Sequence, residues 1–138
     1  MIEQTVLTEG EECRFCLTKP GRRIMIEGKY GFAAWDRHPA SPGHFIVIPY
    51  RHFSDYFDIN DEERAELWQL VAAGKKLADE KYNPDGYNIG INVGIWAGQS
   101  IPHLHIHVIP RYRGDVENPK GGVRGVIPQN KLYTFNPD

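Results

Sequence analysis

A chain of 138 residues is long enough to close one hydrophobic core. Its composition, 41% hydrophobic and 25% charged, is that of an ordinary globular protein, and a formal charge of −2 gives no general reason to expect nucleic acid or an anionic membrane as a partner. No run of 18 apolar residues occurs, no basic region leads into an apolar stretch at the N-terminus, and two cysteines are too few for a secreted disulfide scaffold; a cytoplasmic protein is expected.

Residues 1–12 carry four acids and no base and read as a loose lead-in. Residues 23–27 and 30–36 flank Gly28-Lys29 and are expected to form a β-hairpin. Pro39-Ala40-Ser41-Pro42-Gly43 is a turn, and 44–49 is a short apolar strand. Asn60 with Glu63 forms a capping pair, and Ala65, Leu67, Leu70, Val71, Leu77 and Ala78 recur at helical spacing to about residue 82. Asn83-Pro84-Asp85-Gly86 stops that helix; 87–93 alternates as a strand, 94–102 is a loop, and 103–109 is a further strand. One long helix beside about five strands joined by short turns indicates an α+β domain with a largely antiparallel sheet.

The strongest signal is His103-Leu104-His105-Ile106-His107-Val108-Ile109, which holds half of the six histidines. Side chains alternate along a strand, so the three imidazoles share one face while Leu104, Ile106 and Val108 pack on a core. Neutral imidazole ligates zinc, but alternate strand positions are roughly 6.6 Å apart, so three converging on one ion is awkward. Neutral imidazole is also a nucleophile for phosphorus: it meets no charge repulsion from phosphate and leaves well, so a second acceptor can finish the reaction. The central residue, His105, is best placed as that nucleophile.

This stretch resembles the signature of the histidine triad (HIT) family of nucleotide hydrolases and transferases. The resemblance extends through Asn92-Val93-Gly94 and Gly98-Gln99-Ser100, through Asp36, Pro39, Pro42-Gly43-His44, Val47-Ile48-Pro49 and His52, and back to Cys13-Arg14-Phe15-Cys16. It implies a five-stranded antiparallel sheet with one long and one short helix, a single domain over 13–138, and a homodimer. It also implies His105 as nucleophile with Nδ1–H held by a backbone carbonyl, His107 assisting at the phosphate or leaving group, and Gln99 and Ser100 donating to phosphate oxygens. Asp36 would contact ribose hydroxyls, Phe15 and Trp35 would wall the base pocket, and Asn92 would orient the site. Zinc-bearing members complete a tetrahedron with residues matching Cys13, Cys16, His52 and His103, the closed set of a structural site. His44 is expected to be structural and His38 exposed.

Pro110-Arg111 with Gly114-Asp115 resembles the branch that cleaves dinucleoside polyphosphates such as diadenosine tetraphosphate. The segment 120–128, with Lys120 and Arg124, could reach a second nucleotide or polyphosphate chain, and equally form a dimer contact or cap the fold. Alternatives are a nucleoside phosphoramidase, a phosphorylase using phosphate as acceptor, a metalloenzyme holding one zinc on His103 and His105, and a non-catalytic nucleotide-binding module.

Overall fold

A computed structural model of the chain describes residues 13–17 and 23–133; the lead-in expected at 1–12 lies outside them. The Cys13–Cys16 segment, expected as loop, is one helical turn, α1 (Arg14–Leu17). β1 (Ile24–Glu27), β2 (Gly31–Trp35), β3 (Phe45–Pro49), the long helix α2 (Asp61–Tyr82), β4 (Gly86–Gly90) and β5 (Ile106–Arg111) follow, and the five strands form one antiparallel sheet of order β1-β2-β3-β5-β4. This is the expected α+β architecture. No helix among the described residues is long and apolar enough to cross a membrane.

α2 begins where the sequence places it: the Asn60 side chain accepts from Glu63 N–H, and Glu63 reaches back to Asn60 N–H. It ends at Asn83, whose φ of 49° is the left-handed conformation that asparagine tolerates. Its buried side chains Leu67, Leu70, Val71 and Ala78 cover one face of the sheet, packing on Ala33, Phe45, Val47, Ile106 and Val108. Gly74 lets Phe45 sit against the helix, since a Cβ there would fall 2.5 Å from the Phe45 ring. Glu66 ties the helix to the β1–β2 turn by accepting from the backbone N–H groups of Lys29, Tyr30 and Gly31.

Two strands differ from their sequence-based bounds. β4 ends at Gly90 rather than at 93, because its partner strand begins only at Ile106 and the last pair is Gly90 with His107. β5 starts three residues later than expected: the chain bends at His103, whose N–H bonds to Ile101 O, and Leu104 N–H donates to Phe53 O outside the sheet. It also runs on through Pro110, which lies beyond the last β3 pair, Phe45 with Val108, so its missing N–H empties no ladder bond on that side.

Candidate active site

Strand alternation that sends Ala33, Phe45 and Val47 toward α2 sends Phe32, Ala34, Ile46 and Ile48 to the opposite face, where they form a second apolar cluster. Register sets a row across this face: Phe32 opposes Ile48, Ala34 opposes Ile46, and Ile46 opposes His107. Over that floor lies a cavity of about 270 Å³, bordered by Phe15, Asp36, His44, Asn92, Ser100, His105 and His107.

The histidine row does not act as one unit. His105 and His107 line the cavity; His103, at the bend before β5, turns away to Cys13, Cys16 and His52. Hydrogen bonding fixes the protons on the rings that face the cavity. His105 Nδ1 lies 2.9 Å from His103 O, and a carbonyl only accepts, so the proton is on Nδ1 and the lone pair on Nε2. The N–H of Ala40 donates to His44 Nδ1 at 2.9 Å, which puts the His44 proton on Nε2, 3.0 Å from His107 Nδ1. His107 therefore accepts at Nδ1 and carries its own proton on Nε2. Burial favours neutral rings throughout: it holds His44 and His107 below the usual imidazole value and pushes His105 down to about 4. Asp36 Oδ2 lies 3.4 Å from His44 Nε2, while Oδ1 accepts from His38 N–H. His44, expected to be merely structural, is thus the group that sets the His107 tautomer.

Two groups of side chains among the described residues bring metal-capable atoms within 4.8 Å of one another. In the first, His103 Nδ1 is 3.4 Å from both Cys13 Sγ and Cys16 Sγ and 3.1 Å from His52 Nδ1, and Cys16 Sγ is 3.4 Å from His52 Nδ1. A tetrahedral zinc with ordinary bond lengths requires about 3.3 Å between two nitrogens and about 3.6 Å between nitrogen and sulfur. The set fits, and His103 Nε2, donating to Pro49 O at 2.8 Å, leaves Nδ1 as the ligand atom. The second group, Asp36, His44 and His107, does not fit, because His44 Nε2 carries the proton that Ala40 excludes from Nδ1. A zinc shared by His103 and His105 finds no second ligand atom: His103 Nε2 donates to Pro49 O and its Nδ1 faces Cys13, Cys16 and His52, away from His105, which is outside both groups.

Phe15 meets the His105 ring edge-on at a centroid distance of 4.8 Å, and Asn92 and Ser100 border the cavity. Three placements qualify the expectations. Trp35 touches the cavity border, but its ring packs on Phe45 and Tyr82 on the helix side, since it adjoins Asp36 and consecutive strand residues face opposite ways. The apolar floor of the cavity is Phe32, Ile46 and Ile48, none of which any motif in the sequence singles out. Gln99 is buried and its amide is spent on the loop, accepting from Gly94 N–H and donating to Ser54 O and Ile101 O, so it is not on the cavity wall. Finally, no described residue of the 112–133 segment borders the cavity; Arg124 donates to the carbonyls of Asn130 and Lys131 and lies over the Tyr133 ring, holding the tail on itself.

The family model described as the HIT domain matches residues 19–114. The chain belongs to the HIT domain family. This HIT domain is 39% identical over 93 residues to an AP-4-A phosphorylase of Mycobacterium tuberculosis, an alignment covering 67% of the chain and 48% of that relative. It is 36% identical to a bis(5′-adenosyl)-triphosphatase of Dictyostelium discoideum, covering 69% of the chain and 64% of the relative. The chain thus spans about half to two thirds of the length of these curated relatives. Among solved structures, a zinc-bound histidine triad family protein from Mycobacterium smegmatis superposes with a TM-score of 0.68 at 32% identity, covering 77% of this chain and 79% of that one.

Proposed function

We propose that this HIT domain is an enzyme that cleaves dinucleoside polyphosphates at the α-phosphate through a nucleotidyl-His105 intermediate. One observation carries the reading: His105 Nδ1 is tied to a carbonyl, which leaves an unprotonated Nε2 on a ring that lines the cavity. The Nε2 lone pair forms the P–N bond as the bond from phosphorus to the polyphosphate oxygen breaks. The leaving chain departs as an anion and takes a hydrogen bond from His107 Nε2–H, oriented through His44. Ser100 and Asn92 donate to the phosphate and orient it, Asp36 accepts from the ribose, and Phe15 with Phe32, Ile46 and Ile48 bed the base. Water then attacks phosphorus, its proton passing to solvent, and His105 leaves as neutral imidazole.

A neutral His107 suits this leaving group better than the amine of a phosphoramidate, which must collect a proton to depart. The names of the two relatives, a phosphorylase and a triphosphatase, support the substrate class and divide over the acceptor. Mass spectrometry of protein quenched during turnover of diadenosine tetraphosphate tests the mechanism: the parent gains one adenylyl group and His105→Asn does not. Equal turnover by both overturns the reading. Adding inorganic phosphate separates hydrolysis from phosphorolysis, since only the latter yields a nucleoside diphosphate from the adenylyl half.

The same reading gives Cys13, Cys16, His52 and His103 a structural zinc, which when bound would pin α1 to the approach of β5. Elemental analysis of the purified chain and of Cys16→Ser tests it, with about one equivalent expected in the parent alone. We also assign the chain to homodimers, with β1 and β4 as the edge strands among the described residues. Light scattering at the mass of one chain would overturn that assignment.

A further inference from the structure

Three arginines, Arg14, Arg23 and Arg37, border the cavity, together with one acidic residue, Asp36. All three arginines are exposed, and among the described residues no acid, carbonyl or ring engages any of them. They come from separate segments that meet at the cavity border. Arg14 precedes Phe15, whose ring touches His105. Arg37 follows Asp36, which lies beside His44. Arg23 immediately precedes β1, and its carbonyl accepts from Trp35 N–H at 3.0 Å; its φ of 51° is left-handed, and a register shift between Ile24 and Ile26 follows it. Such a bulge re-aims side chains at a sheet edge. The cavity, about 270 Å³, is below the usual range for a drug-sized ligand, so it takes one nucleoside monophosphate and leaves the rest of a dinucleotide over this border.

We propose that Arg14, Arg23 and Arg37 read the charge of the leaving group, binding the polyphosphate chain beyond the α-phosphate and selecting polyanionic leaving groups over neutral ones. The proposal rests on the nucleotidyl-transfer reading. Guanidinium groups suit it because they stay charged and grip phosphate oxygens in pairs. It also supplies the cations that the self-bound tail does not bring to the cavity.

The test compares diadenosine tetraphosphate with adenosine 5′-phosphoramidate, which share the adenylyl half, in the parent and in an Arg14→Gln/Arg23→Gln/Arg37→Gln variant. The kcat/KM ratio of the first substrate to the second is expected to fall about 30-fold in the variant, and its decline with added salt to flatten. A ratio within threefold of the parent overturns the proposal: an equal loss on both substrates places the arginines on the shared adenylyl half, and an unchanged ratio with a raised KM for inorganic phosphate places them on the acceptor. Equilibrium binding keeps this separate from the mechanism. In a His105→Asn background, diadenosine tetraphosphate should outbind adenosine monophosphate only while the arginines are present, whether or not an adenylyl-histidine ever forms; equal affinities overturn the assignment.

Discussion

Replacing His44 should damage catalysis through a ring it does not share with substrate. In the structure Ala40 N–H holds His44 Nδ1, so His44 Nε2–H donates to His107 Nδ1 at 3.0 Å and His107 keeps its proton on Nε2. In His44→Leu that donor is lost. His107 then keeps a half-buried acceptor without a partner, an omission worth about 1–3 kcal/mol, and can move its proton to Nδ1, where it no longer meets the leaving oxygen. If the whole deficit appears in the transition state, kcat falls about 5- to 150-fold, with KM changing less because, of the groups that hold base and ribose, His44 touches only Asp36. His44→Gln should recover most of the rate, since its amide oxygen can accept from Ala40 and its NH₂ can donate to His107. Steady-state kinetics on diadenosine tetraphosphate gives the split, and nitrogen chemical shifts of the His107 ring report the tautomer directly. A Leu variant with parental kcat, or an Nε2–H tautomer that persists without His44, would refute the relay.

Gly74→Ala should destabilise the fold by about 1 kcal/mol despite the higher helix propensity of alanine, because its Cβ would meet the fully buried Phe45 ring at 2.5 and 2.7 Å and overpacking outweighs the propensity gain; a stabilised variant in urea unfolding would contradict this. Glu66→Ala strips the partner from three backbone N–H groups in the β1–β2 turn and should cost about 2–3 kcal/mol, partly offset by water at the exposed members, with Glu66→Gln intermediate. The imidazoles of His44 and His107 titrate below 6.5 in the fold and near 6.5 in the unfolded chain, so the unfolded state takes protons first: their contribution to stability is complete above pH 6.5 and declines as pH falls below it. Urea midpoints measured from pH 7.5 to 5 should fall, and a rise over that interval would reverse the sign of the reasoning. Cys13→Ser/Cys16→Ser should lower kcat more than it raises KM, and an unaffected kcat would separate the Cys/His cluster from the nucleophile.

Local rules were legible in the sequence, and pairings across the sheet were not. The Asn60–Glu63 cap and the helical period reach only three or four residues along the chain, so α2 could be placed to within a residue at its start. The partnership of His44 with His107 spans 63 positions and exists only because β3 and β5 pair with Ile46 opposite His107. Nothing in Pro42-Gly43-His44 announces that register. Trp35 is different: the information was available, because a residue next to Asp36 on a strand cannot share its face, and period-two alternation would have chosen Ala34 and Phe32 instead. The Gln99 amide is held by Ser54 and by the loop that Gly94 opens, a closure between separate segments that spacing alone cannot reveal. Arg14, Arg23 and Arg37 escaped for the same reason, being unremarkable surface bases until three segments converge on one cavity.

The late start of β5 explains how one short run of histidines can serve two sites. Had the strand begun at residue 103, alternation would have aimed His103 at the cavity with His105 and His107. Instead the bend at Ile101–His103 rotates the His103 ring toward Cys13, Cys16 and His52. It also frees the His103 carbonyl from the ladder, and that carbonyl holds His105 Nδ1 at 2.9 Å. Side chain and carbonyl of one residue therefore anchor the Cys/His cluster and fix the tautomer of the nucleophile. Pro49 O grips His103 Nε2 from β3, so the ring has little freedom to turn without carrying its carbonyl along. A disturbance of the cluster must then reach the nucleophile through one backbone unit, by way of His105 orientation and not through the base or ribose contacts.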